Sequence, residues 1–112
     1  MTRNNKPKLS LDLQQMRAHA GDASRLLKTL GNDKRLLILC QLAEGERSVG
    51  QLNEHLDLSQ PALSQHLAVL RDENLVTTRR DGQTIHYALA EGPAARVIQL
   101  LHEIYCGKRP RC

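Results

Sequence analysis

Residues 48–89 read SVGQLNEHLDLSQPALSQHLAVLRDENLVTTRRDGQTIHYAL, and the fold turns on the changes of pattern inside them. Ser48 opens a short helix with Gln51 three residues on, the spacing of a capping box, and Val49, Leu52 and Leu56 form its inner side. Asp57-Leu58 makes a short turn. Ser59 caps the next helix with Pro61 inside its first turn, where a missing backbone N–H costs nothing. Leu63, Leu67 and Leu70 face inward along it, leaving Gln60, Ser64, Gln65 and Ala68 outward. After Asn74 the helical period gives way to a β-branched run, Val76-Thr77-Thr78-Arg79-Arg80, and an alternating run, Thr84 to Leu89. Asp81-Gly82 between them is a strong hairpin signal. Two short helices across a tight turn, followed at once by a basic hairpin, make a winged helix-turn-helix.

The chemistry of that unit points to double-stranded DNA. The outward residues Ser59, Gln60, Ser64, Gln65 and His66 suit a major groove, because Gln bonds adenine edges bidentately and Ser serves bases or phosphates. Taken alone, such a face is that of any solvated helix. The arginine-bearing hairpin behind it shifts the balance: Arg79, Arg80 and Gln83 are placed for phosphates or the minor groove, where they add orientation and salt-dependent affinity more than sequence reading.

Outward from this unit the pattern is helical, so the fold class is mainly α with one small β-hairpin. Leu9, Leu13, Met16, Ala20, Ala23, Leu27 and Leu30 recur at helical steps, with Ser10 or Asp12 as the starting cap, Gly21 as a potential break and Gly31-Asn32 as the stop. That stripe serves either the chain's own core or a dimer seam. Lys34 to Ala43 is so apolar that it is expected to be nearly buried. Gly92-Pro93 begins a last helix with Val97, Leu100, Leu101 and Ile104 on one stripe, running up to Cys106. The expected organisation is a polar tail over residues 1–9, one domain over 10–106, and a basic tail over 107–112. The two apolar stripes exceed what one small core needs, which predicts a homodimer paired through its N- and C-terminal helices. It also predicts an imperfectly palindromic operator.

Composition agrees. The 112 residues are 40% hydrophobic and 25% charged, with twenty leucines, no Trp or Phe, and Tyr87 and Tyr105 as the two aromatics. Such a chain makes one Leu-packed domain and lacks the rings on which RNA-binding sheets and single-strand channels stack bases. The net charge of +4 is weak support for a polyanionic partner. No apolar run reaches a membrane-spanning length and Met1 to Lys8 shows no signal-peptide pattern, so the expected location is the cytoplasm, with no membrane partner. No Ser/His/Asp arrangement, phosphate loop or paired carboxylates stand out, and no enzyme is expected.

The stretches NDKRLLILCQLAEGERSVGQL, LSQPALSQHLAVLRDENLV and RRDGQTIHYAL resemble the ArsR/SmtB repressors, over about residues 20 to 106. The resemblance implies a homodimeric repressor that leaves its operator when an inducer binds. Metal sensing does not carry over residue by residue. Where arsenic and cadmium sensors read CVC, this chain has Ser48-Val49-Gly50. With His102 set on the second histidine of the zinc site, Leu89, Glu91 and Tyr105 fall at the other places, too few ligands for zinc. His19, His55 and His86 add no ligand spacing, so neither metal nor other cofactor is expected.

The three cysteines, Cys40, Cys106 and Cys112, are far apart with no CxxC, which argues against structural zinc. Cys40 and Cys106 match the pair of the dithiol subgroup that includes HlyU, BigR and SqrR. That likeness implies a switch in which a reactive sulfur or oxygen species links the two cysteines. A buried Cys40 acting as a small core hydrophobe is the plainer alternative. A metal or metalloid site using Cys106 and Cys112, and a DNA-binding module with inert cysteines, are the others. Cys112 lies outside the matched region beside Arg111 and Lys108, whose charge favours a thiolate, and a spare tail thiol is its plainer reading.

Overall fold

The computed structural model describes residues 8–107; the expected tails over 1–9 and 107–112, with Cys112, lie outside it except for residues 8, 9 and 107. The chain runs α1 (Leu13–Leu30), α2 (Asp33–Ala43), β1 (Arg47–Ser48), α3 (Val49–His55), α4 (Gln60–Asp72), β2 (Val76–Asp81), β3 (Thr84–Leu89) and α5 (Pro93–Cys106). This is the expected winged helix-turn-helix framed by helices at both ends.

Local chemistry sets the boundaries. Asp12, one of the two expected caps, accepts from the Gln15 amide, and Asn32 accepts from Arg35 to start α2. At α3 the capping box closes in both directions, Gln51 N donating to Ser48 Oγ at 3.2 Å and Ser48 N to Gln51 Oε1 at 2.9 Å. Ser48→Ala is expected to cost about 1 kcal/mol and lower the melting temperature by about 5 °C, measured by thermal circular dichroism. A melting curve that does not move would mean the box adds nothing. Ser59 caps α4 as read, accepting from the Ala62 amide, with Pro61 in the first turn. At the far end of α4, Asn74 takes φ 62° and Leu75 N returns to Leu70 O at 2.9 Å. That left-handed exit drops Leu75 into the core.

The core is one cluster: Leu30, Ile38, Leu39, Leu42, Leu52, Leu63, Leu67, Leu70, Leu75, Val76, Ala94 and Ile98. It lies under α4 and fixes which of that helix's faces remains outside. Arg35 ties α1 to α2 by donating from Nε to the Thr29 carbonyl at 2.9 Å.

Four expectations need correction. Gly21 does not break α1, because on an exposed helix face its missing side chain removes no packing. Leu9 lies outside that helix, which begins one residue after its Asp12 cap. The second helix is not nearly buried: α2 packs through Ile38, Leu39 and Leu42, and its period turns Leu37 and Cys40 outward. The hairpin turn is Gly82-Gln83, since Asp81 still pairs with Thr84, and Gly82 at φ 66° supplies the positive φ of a type II′ turn. On α5 the core is met by Ala94 and Ile98 with Val97 packed beside them, while Leu100 and Ile104 of the expected stripe are open to solvent.

One element went unforeseen. Arg47-Ser48 pairs with Tyr87 and His86 of β3, giving a three-stranded antiparallel sheet of order β1-β3-β2. Two residues are too few to show an alternating pattern in sequence.

Candidate nucleic-acid interface and thiol site

The turn between α3 and α4 is held by Asn53 Nδ2 donating to the Leu58 carbonyl at 3.0 Å. With Leu63, Leu67 and Leu70 anchored in the core, α4 exposes Ser59, Gln60, Ser64 and Gln65, while His66 is half-buried. Four of the five residues expected to face DNA therefore share one open surface, and His66 sits at its margin.

The wing is less simple. Strand alternation puts Val76, Thr78 and Arg80 on the sheet face of Ile85, Tyr87 and Leu89, and puts Arg79 on the opposite face beside its partner His86. Arg79, Arg80 and Gln83 are all exposed. Arg79 is also held. Its Nε and Nη2 donate to Glu46 Oε2 and Oε1 at 3.0 and 2.7 Å, a two-bond fork reaching from the loop ahead of β1. That contact holds the Glu46 carboxyl below the usual carboxylate range and pushes the Arg79 guanidinium up. Glu46 was not singled out in the sequence, where 33 residues separate it from Arg79.

Cys40 opens onto a cavity of about 420 Å3 between α2 and α5, lined also by Glu44, Leu89, Ile98, Gln99 and His102. Although Cys40 is open to solvent, partial desolvation by its surroundings first, and then the Glu44 charge, push its thiol pKa up. Cys106 follows His102 by four residues on α5, one turn further along the same helix face. Cys40 is a free thiol, whereas Cys106 is disulfide-bonded, so the two are not joined to each other here. Among the described residues no three His, Cys, Asp or Glu side chains gather as a metal ion would need.

A family model described as bacterial regulatory protein, arsR family, matches residues 32–78, from the start of α2 into the wing. The transcriptional activator HlyU of Vibrio cholerae is 48% identical over 96 residues, covering 86% of this chain and 89% of the relative. The chain belongs to the ArsR family of bacterial regulators. Among solved structures, the transcriptional repressor BigR from Xylella fastidiosa superposes with a TM-score of 0.79 at 42% identity, covering 86% of this chain and 98% of that one. A homodimeric winged helix-turn-helix DNA-binding domain from Mycobacterium bovis superposes at 0.71 with 29% identity, covering 86% and 89%. This ArsR-family chain is thus a DNA-binding transcriptional regulator, and its relatives are regulators rather than enzymes. Among its described residues, no helix is long and apolar enough to cross a membrane.

Proposed function

We propose that this protein is a homodimeric repressor whose hold on a palindromic operator is released when a reactive sulfur species links Cys40 to Cys106. The observation that carries the DNA half is the open polar face of α4, flanked by an exposed, arginine-bearing wing. Ser59, Gln60, Ser64, Gln65 and His66 read the major groove, while Arg79, Arg80 and Gln83 hold the backbone.

Exposed apolar surface supports the dimer. Leu13, Met16 and Leu27 on α1 and Leu100, Ile104 and Tyr105 on α5 are each more than half open to solvent. Single exposed leucines are ordinary, but six large apolar side chains on the two terminal helices are what a partner would cover. A two-fold pair then sets its recognition helices about 34 Å apart, one turn of DNA.

For the switch, the support is the cavity that brings Cys40 to the α5 face on which Cys106 lies one turn past His102. In the reduced dithiol, one thiolate takes a sulfane sulfur from an organic persulfide, RSSH, and releases RSH. Attack by the other thiolate on the inner sulfur closes a disulfide and expels hydrogen sulfide; two prior transfers would leave a trisulfide. The link ties α5, a dimer-forming helix, to α2, which packs on the recognition helix. It releases DNA only by suiting the low-affinity state better.

A second reading takes its support from the disulfide at Cys106, which does not involve Cys40. In it the sensing site is Cys106 with Cys112, used as a redox pair or as metal or metalloid ligands, and Cys40 is a bystander. Mass measurement of the reduced protein after persulfide, peroxide or metal treatment separates the two by showing which thiols change.

DNA reading has its own test. Gln60→Ala and Gln65→Ala are each expected to flatten preference at one or two base pairs of a site selected from random duplexes, by about 1–3 kcal/mol per base contact. Selection profiles identical to the parent's would remove α4 from the groove.

A further inference from the structure

We infer that Glu46 is an intramolecular competitor for the DNA backbone, a latch that occupies Arg79 as a phosphate would and sets how tightly the wing grips any duplex. The inference rests on the reading that the wing meets DNA, and the test below separates the two. The geometry carries it. A carboxylate and a phosphate engage arginine through the same paired N–H fork, and Glu46 fills that fork with bonds of 3.0 and 2.7 Å. Neither side chain is buried: their relative exposures are 55% for Arg79 and 37% for Glu46. No desolvation barrier therefore locks the pair, and an exposed pair of this kind is weak enough to exchange partners.

The chain around Glu46 is arranged for this competition. Gly45 takes φ 148°, a conformation L side chains rarely adopt, on the short passage from α2 to β1. The same passage sets Glu44 Oε1 3.5 Å from Arg47 Nη2, so two successive acids face two arginines. Arg79 and Ser48 both lie beside His86 across the sheet, and Glu46 precedes Ser48 by two residues, which brings the carboxylate up to the wing. On binding DNA, Arg79 exchanges Glu46 for a phosphate oxygen. The two bonds to Glu46 have to be given up in that exchange, and their loss opposes binding to every sequence alike. The latch thus lowers affinity for DNA without reading bases.

The test needs no knowledge of the operator. A fluorescein-labelled random duplex of roughly 30 base pairs, three helical turns, is titrated with reduced full-length protein over a range of salt. Glu46→Gln is expected to tighten binding by about two- to fivefold, and Arg79→Ala to weaken it by a similar factor and reduce the salt slope by about one. The double variant E46Q/R79A should bind as Arg79→Ala alone, because without the arginine there is nothing to latch. Weaker binding by Glu46→Gln would make Glu46 a support for Arg79 and overturn the latch. An equal gain in the Arg79→Ala background would make it a general repulsive charge and overturn it too. If Arg79→Ala changes neither affinity nor slope, the wing reading itself fails. Matching thermal melts for all three variants confirm that the comparison is between folded proteins.

Discussion

Cys40→Ser is expected to bind its selected operator as the parent does when reduced, and to stay bound after treatment with an organic persulfide that releases the parent by about 5–150-fold, the usual range of coupling between two sites. Cys106→Ser should do the same, whereas Cys112→Ser should still release. The measurement is fluorescence anisotropy on the operator before and after treatment, with intact mass in parallel. Full release by Cys40→Ser would sink the Cys40/Cys106 switch and leave the site of Cys106 and Cys112. The pKa direction at Cys40 adds a pH dependence. Partial desolvation first, then Glu44, disfavour its thiolate, so less of it is ionised at neutral pH than of an ordinary cysteine. Alkylation of Cys40 should accelerate only over a range above that of free cysteine. Glu44→Gln should lower that range by the smaller share, because Glu44 is the second cause.

The parts of this molecule that were legible in its sequence are those specified by short-range chemistry. Ser48 with Gln51, Ser59 with Pro61, and the leucines of α4 at helical steps each name their own role within a few residues, and each forms as read. The wing followed from its change of period, and only the turn slipped by one residue, because Asp81 remains paired to Thr84. What escaped depends on contacts between distant residues. Leu37 and Cys40 were expected inside because α2 looked apolar all round, yet the depth of a helix is decided by its neighbours, and β3, α5, α1 and α4 together leave Leu37 and Cys40 open while Ile38, Leu39 and Leu42 are buried. The Glu46 to Arg79 fork spans 33 residues, with both partners of ordinary surface type, so nothing local could announce it. The same holds for Cys40 and His102, which meet at one cavity only because α5 returns across α2.

Ile104→Asp combined with Leu100→Asp is expected to convert a dimer into monomers and to cost operator binding about 10²–10⁴-fold, the gain that joining two half-site contacts typically supplies. Both positions lie on the outer stripe of α5, with 60% and 53% of their surface open, whereas Ala94 and Ile98 hold the same helix to the core. The substitutions should therefore leave the protomer folded, while a carboxylate buried between two copies without a partner charge is costly. Sedimentation velocity at micromolar concentration reads the assembly, far-UV circular dichroism the fold, and anisotropy the DNA. The decisive comparison is against a duplex carrying one half-site: the double variant should bind it nearly as well as the parent does, because each protomer keeps its own α4 and wing. A parent that sediments as a monomer, or a variant that dissociates yet holds the full operator undiminished, would break the link between two-fold assembly and recognition. The operator would then be read by one protomer at a time.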